Sequence, residues 1–204
     1  MIVAIVGADG AGKTTVTRAA AERLGTSATV VDRWDIVGSP HYPTAAFLEA
    51  DVRRVRSCAV GMAPESRLLF LLWAAVASVT DRVAESETDS VLLLDGYWMK
   101  HAASEIVYGM DECWVEAVGA GLPGADRVVY LRSDPQTAWD RIGARAVPYE
   151  CGLDPSCAQS SFLHHQGRIH EIFDSWANRQ NWAVVDTRRP FAPVVDAVVE
   201  AVLA

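Results

Sequence analysis

Short unbroken apolar runs alternate along this chain with longer stretches in which apolar residues recur every three or four positions. The runs occupy Ile2–Val6, Ala28–Val31, 91–94, 128–131 and 182–185. Each is rich in valine, isoleucine or leucine and lacks polar alternation, as a strand covered on both faces requires. Helical periodicity fills the intervals near 13–24, 44–57, 65–84, 100–118, 135–145, 159–179 and 191–203. Strands that alternate with helices imply right-handed crossovers and a parallel sheet of five strands with helices on both faces. Glycine and proline punctuation falls in the gaps, at Gly38-Ser39-Pro40, from Gly61 to Pro64, from Gly119 to Gly124 and from Tyr149 to Pro155. No repeat or linker divides the 204 residues, so 1–204 reads as a single domain. In such sheets the chemistry collects beyond the carboxyl ends of the strands.

The first strand ends in Gly7-Ala8-Asp9-Gly10-Ala11-Gly12-Lys13-Thr14, which fits the phosphate-binding pattern G-x-x-x-x-G-K-[ST]. A strand precedes it and a glycine-free helix follows from Thr15, the context in which backbone N–H groups can wrap a phosphate chain at a helix N-terminus. Gly7, Asp9, Gly10, Ala11, Gly12, Lys13, Thr14 and Thr15 are the expected nucleotide-binding residues. Lys13 would reach the β/γ phosphates and the Thr14 hydroxyl would ligate Mg²⁺. The expected ligands are therefore a nucleoside triphosphate and Mg²⁺.

Composition narrows the partners. A net charge of -8 argues against general nucleic-acid binding. No apolar stretch has the length of a membrane span, and the N-terminus reads as a strand rather than a signal peptide, so a cytoplasmic protein is expected. The apolar segment 68–79 is too short to span and reads as a buried core helix. Cys58, Cys113, Cys151 and Cys157 fit no standard zinc spacing and read as free thiols. Lysine occurs only at Lys13 and Lys100, against sixteen arginines.

Other residues gain meaning from their place after a strand. Asp95 closes the third run and suits a second magnesium-linked carboxylate, or a proton acceptor. Asp9, inside the loop, would repel phosphates unless it faces the acceptor or a metal. Arg141 and Arg145 share a helix face after the fourth run, at the root of a loop-like segment, and suit a cover over the adenine and a clamp on the transferred phosphoryl group. Arg33 follows the second strand, and Arg53, Arg54, Arg56 and Arg67 flank the next segment; an anionic acceptor is one use for them. Trp34, Trp73 and Trp98 lie near the expected acceptor pocket, where either stacking on a substrate ring or core packing would occupy them. His164, His165 and His170 receive no role.

The chain resembles the thymidylate kinase-like family of P-loop kinases over nearly its full length. The resemblance rests on Ile5 to Thr15 with its internal acid, on Leu68-Leu69-Phe70, on Asp95-Gly96-Tyr97, on Gly121-Leu122-Pro123 with Asp126, on Asp134-Pro135, and on Arg141 and Arg145. It implies a P-loop NTPase three-layer fold, a lid over approximately 142–160, and transfer of the ATP γ-phosphoryl group to a small acceptor. With Arg33 and Arg67 from their positions, Phe70, Trp73 and Tyr97 of these motifs complete the expected acceptor contacts. Family members are often dimers, so a homodimer is a further expectation. Two family arginines are absent: Gly96 stands in the Asp-Arg-Tyr motif, and Trp73-Ala74 replaces an Asp-Arg pair. Charge-assisted contacts are worth about 1.5–3 kcal/mol each, so the acceptor side is rewritten while the donor side is intact. Three readings follow: a phosphotransferase with a specialised nucleotide-like or other small acceptor, a genuine thymidylate kinase converting dTMP to dTDP, or an ATP-binding or hydrolysing module without a small-molecule acceptor.

Overall fold

The computed structural model describes residues 1–25, 28–39, 41, 51–85 and 90–204. Its centre is a fully parallel five-stranded sheet. The strands are β1 (Ile2–Val6), β2 (Ala28–Val31), β3 (Val91–Asp95), β4 (Arg127–Arg132) and β5 (Ala183–Asp186), in the spatial order β2-β3-β1-β4-β5. The expected runs match to within one residue at most ends. The helices are α1 (Lys13–Leu24), α2 (Val52–Val60), α3 (Pro64–Glu85), α4 (Trp98–Val107), α5 (Glu112–Ala120), α6 (Pro135–Ile142), α7 (Gln159–Gln180) and α8 (Phe191–Leu203). The first part of the helix expected at 44–57 lies outside the described residues.

The apolar strands are explained by two cores, one on each face. Val3, Ile5, Leu93, Val129 and Leu131 meet α1 and α8 through Val16, Ala20, Val194 and Val198. Ala4, Val6, Leu92, Leu94 and Tyr130 meet the other layer through Leu68, Leu72, Ala102, Val115, Ile169 and Phe173. Successive residues of a strand point to opposite faces, so only an unbroken apolar run can serve both cores. Each fully buried leucine or valine contributes about 1.5–3 kcal/mol. The 68–79 segment is core, as its composition implies. Leu71 packs with Trp34 and Val55, while Ala74 and Ala77 pack against Ile36. Among the described residues no helix is long and apolar enough to cross a membrane.

Two expected helices are interrupted. The stretch 100–118 divides into α4 and α5. The Met110 N–H bonds to the Glu105 carbonyl and the Gly109 N–H to that of Ile106, a double bond pattern that closes a helix at a glycine. Asp111 then caps the new helix by accepting from the Trp114 N–H at 2.7 Å. The stretch 135–145 ends as α-helix at Ile142 and tightens into a 3₁₀ turn, Gly143–Arg145. A second 3₁₀ turn, Pro148–Glu150, precedes α7.

Candidate active site

The glycine-rich loop links β1 to α1 at the carboxyl edge of the sheet. Gly10 has φ 79°, a left-handed backbone that L side chains rarely adopt, and a Cβ there would lie 2.8 Å from that of Ala138. Gly7 passes so close to β4 that its Cβ would meet the Leu131 carbonyl at 2.7 Å. Lys13 opens α1, and its ammonium donates to the Ala8 carbonyl at 2.9 Å. Burial lowers the basicity of Lys13; Asp9 and Asp95 oppose that effect, and Lys100 and Arg33 add to it. The Thr14 and Thr15 side chains follow on the exposed first turn of α1.

Asp95 ends β3 directly beside the loop. It is in register with Ile5 of β1, and the Gly96 N–H donates to the Ile5 carbonyl at 3.0 Å. The parallel pairing of β1 and β3 thus brings a carboxylate beside Ile5, 90 positions earlier in the chain, at the root of the loop. Its carboxyl group and the hydroxyl of Thr14 are hard oxygen donors, the ligand type that suits Mg²⁺.

Asp9 faces away from solvent into an ion pair. Its Oδ2 is 3.1 Å from the Lys100 ammonium, contributed by the first turn of α4. Gln166 of α7 holds the same residue twice: its Oε1 accepts from the Asp9 N–H at 3.1 Å, and its Nε2 donates to Asp9 Oδ2 at 3.3 Å. Gln166 also donates to the Glu150 carbonyl at 2.8 Å, which ties the 3₁₀ turn before α7 to the loop. Burial alone would raise the Asp9 pKa, but Lys100 and Lys13, with the Lys100 and Gln166 hydrogen bonds, bring it below the ordinary carboxylate value.

Arg33 sits in a 3₁₀ turn, Arg33–Ile36, capped by the Asp32 carboxylate accepting from the Trp34 N–H at 2.8 Å. That cap turns the chain so that Arg33 Nη1 lies 3.8 Å from the position of a Cβ on Gly96. Arg33 and Arg56 both lie over the Trp34 ring, at 5.3 and 5.1 Å from its centroid. Among the described residues, Arg33 Nε, Trp34 Nε1 and both ring nitrogens of His101 are buried without a hydrogen-bond partner.

On the far side of the loop lies a cavity of about 300 Å³ lined by Ala11, Gly12, Thr15, Arg141, Thr187 and Arg189, among others. Arg141 spans its wall, donating to the Gly10 carbonyl at 3.3 Å and to the Thr187 carbonyl at 2.9 Å. Arg145 donates to the Arg141 carbonyl at 2.7 Å and is itself exposed. A larger concavity of about 750 Å³ lies at the opposite edge of the sheet, near Met1, Asp126, Arg127 and Ala183. There Asp126 is occupied by the Ile2 N–H at 2.5 Å, and the strand starts bring no loop residue near, so size does not mark the site.

Several residues expected on the acceptor side are placed elsewhere in the packing. Arg67 is buried and bidentate to Glu105, at 2.6 and 2.7 Å, and its remaining terminal nitrogen donates to the Val60 and Met62 carbonyls. Tyr97 enters the main core and donates its hydroxyl to the Pro123 carbonyl at 2.8 Å. Phe70 and Trp73 lie with ring centroids 6.0 Å apart and pack against the Trp34 and Ile36 clusters. Trp98 packs 6.0 Å from Trp176. Conversely, Lys100, His101 and Gln166 join the site with no motif to announce them. The one available signal was the rarity of lysine, five residues after Asp95.

No family model matches the chain, and no curated protein matches it in sequence. Solved structures do match over its whole length. A deoxyadenosine kinase from M. mycoides with bound dATP gives a TM-score of 0.63 at 17% identity, covering 100% of both chains. The same kinase with bound dCTP gives 0.61 at 16% identity, and with the products dCMP and a flexible dCDP 0.64 at 15%, each covering 100% of this chain and 99% of the other. This likeness is to deoxyadenosine kinases and does not single out the thymidylate kinases that the loop and motifs resemble. Sheet order, loop and full-length superposition together give this chain the P-loop kinase fold.

Proposed function

We propose that this protein is an ATP- and Mg²⁺-dependent kinase that transfers the γ-phosphoryl group to a small nucleoside- or nucleotide-like acceptor. One observation carries the reading. The loop with Lys13 meets the Asp95 carboxylate, with Arg33 close to the adjoining Gly96, and the Asp9–Lys100 pair, so donor and acceptor functions converge at the edge of β1 and β3. A hydrolysing module needs only the donor half; buried, unpartnered Arg33 and His101 nitrogens beside it favour a second small ligand. The fold's solved relatives described as deoxyadenosine kinases support a nucleoside-like acceptor.

In this reading the loop amides and Lys13 hold the β/γ phosphates, with Lys13 exchanging the Ala8 carbonyl for phosphate oxygen. Thr14 and Asp95 would hold Mg²⁺, which would supply charge neutralisation at the phosphates. The cavity beside Arg141 accepts the donor base, with the guanidinium over its face. The segment 142–160 closes as a lid, linked to the loop through Gln166. The acceptor oxygen forms a bond to the γ-phosphorus as the bond to the β,γ-bridging oxygen breaks, and the electron pair leaves on ADP. If the attacking group is a hydroxyl, Asp95 takes its proton instead of serving the metal, which Thr14 would then hold; a phosphate acceptor needs no base.

The test is ADP release from ATP and Mg²⁺ across a panel of deoxynucleosides, their monophosphates including dTMP, sugars and amino compounds. Acceptor-dependent release that disappears in Lys13→Ala is the expected result. Release no faster than the acceptor-free blank for the whole panel would leave an ATP-binding module as the better description.

A further inference from the structure

An acid inside a phosphate-binding loop costs affinity for phosphate unless its charge is answered. Here Lys100 answers it, at 3.1 Å. Lys100 is buried, and its ammonium also lies 4.8 Å from the Tyr149 ring centroid, against a ring that packs 6.3 Å from that of His101. The only two lysines of the chain both act on the Asp9 carboxyl, so the loop is flanked by a second ammonium that its own motif does not contain.

Further charges surround this pairing. Lys13, Lys100 and Arg33 face the carboxylates of Asp9 and Asp95, with Asp32 beside Arg33 and Glu150 beside Asp9, Lys100 and Lys13. Arg33 Nε and both nitrogens of His101 are buried without partners. Burial, reinforced by Arg33, Lys100 and Lys13, holds the His101 ring neutral, so it does not add to the charge, yet it keeps a donor available. Desolvated cations converging on the loop and an orphaned donor match a group whose negative charge is spread over several oxygens, which is what a phosphoryl group in transfer presents.

We propose that Lys100 is a second catalytic lysine, aimed by Asp9 and Gln166 so that its ammonium contacts the oxygens of the γ-phosphoryl group as that group moves from ADP to the acceptor oxygen. This rests on the kinase reading. Asp9 is then a positioning residue, and the acid in the loop serves to deliver a cation. Gln166 fixes which way the carboxylate points, and Tyr149 supplies the ring surface along which the ammonium lies.

The competing role for Lys100 is simple neutralisation of Asp9. Removing Lys100 alone cannot separate the two, because it strands a buried carboxylate. The informative comparison is Asp9→Asn against Asp9→Asn with Lys100→Met, in which that carboxylate is gone from both. Calorimetric titration with ADP and with a non-hydrolysable ATP analogue, each with Mg²⁺, reads the γ-phosphate contact without any acceptor. The double variant is expected to lose roughly 10-fold or more of the analogue-over-ADP preference of Asp9→Asn, with ADP affinity unchanged. With an active acceptor, kcat should fall roughly 10²- to 10³-fold at little change in acceptor KM. Lys100→Arg, which keeps the charge, should retain much of the preference. Equal preference in Asp9→Asn and the double variant would overturn the proposal and leave Lys100 as a counter-ion. If the double variant fails to fold, Asp9→Asn with Lys100→Gln gives the same comparison. A wild type that phosphorylates no acceptor would defeat the kinase reading, while the binding comparison would still decide on Lys100.

Discussion

Arg33 Nη1 stands 3.8 Å from where a Cβ on Gly96 would be, so a guanidinium from the turn after β2 occupies the neighbourhood of a side chain that residue 96 lacks. Gly96 has φ 75°, a backbone that favours glycine, and the residue that follows Asp95 could not carry a long side chain there without strain. In the proposed kinase reading, Arg33, from the turn after β2, stands in for the arginine that Gly96 does not supply. Arg33→Ala should lower kcat/KM for the acceptor roughly 10- to 100-fold while the KM for ATP stays near its wild-type value, as loss of one charge-assisted contact implies. Steady-state kinetics with each substrate varied in turn would check this; an unchanged acceptor KM and kcat would remove Arg33 from the site.

Arg67 and Glu105 make a bidentate pair, both nearly inaccessible, to which the Tyr149 hydroxyl adds a 3.1 Å bond. Cutting one partner leaves an uncompensated buried charge. Arg67→Met should destabilise the protein by about 3–5 kcal/mol in urea unfolding, and Arg67→Met with Glu105→Gln should recover a large part of that loss. A ligand-binding arginine would give the reverse pattern: near-normal stability with a raised acceptor KM.

Gly119 lies in α5 under the Trp98 ring, and a Cβ at that position would come within 2.5 Å of two ring carbons. Gly119→Ala gains helix propensity but must displace an indole wedged between α4, α5 and Trp176 of α7. Overpacking should win, lowering stability by about 1–3 kcal/mol. Thermal and urea unfolding measure the sign; a stabilised variant would show that the indole moves freely.

Burial holds His165 and His170 at pKa values of about 4, and pushes His101 down as well. Below the ordinary value of 6.5, His165 and His170 take up protons in the unfolded chain, but not in the folded protein until near pH 4. The folded state therefore binds fewer protons across that window, and stability falls as the pH is lowered through it. Each of His165 and His170 should cost about 2 kcal/mol by pH 5 relative to pH 7.5. Differential scanning calorimetry should show Tm dropping on the order of 10 °C over that range. A flat Tm profile would mean that the rings are solvated.

The site was only partly legible in the chain. Gly7 to Thr14 and Asp95 could be found from sequence because each depends on local order: a strand, a fixed number of residues, a helix, or an acid closing an apolar run. The break between α4 and α5 had local signals too, in Gly109 and Asp111, but the apolar periodicity ran past them. Arg67 illustrates the opposite case. Its proximity to the acceptor segment was readable, but its employment was not, because Glu105 comes from a different helix.

By itself, then, the chain determined its layers and its glycine-rich loop. Unbroken apolar runs can be satisfied only by strands covered on both faces, and a glycine-rich turn before a helix has few other uses than binding phosphate. Tertiary structure decided which charges meet. Asp9 and Lys100 are separated by 91 positions and joined by the packing of α4 beside the loop, and Arg33 reaches Gly96 because β2 and β3 are neighbours in the sheet. Ion pairs and orphaned donors depend on distances of a few ångströms between elements remote in sequence, and no local periodicity encodes those distances.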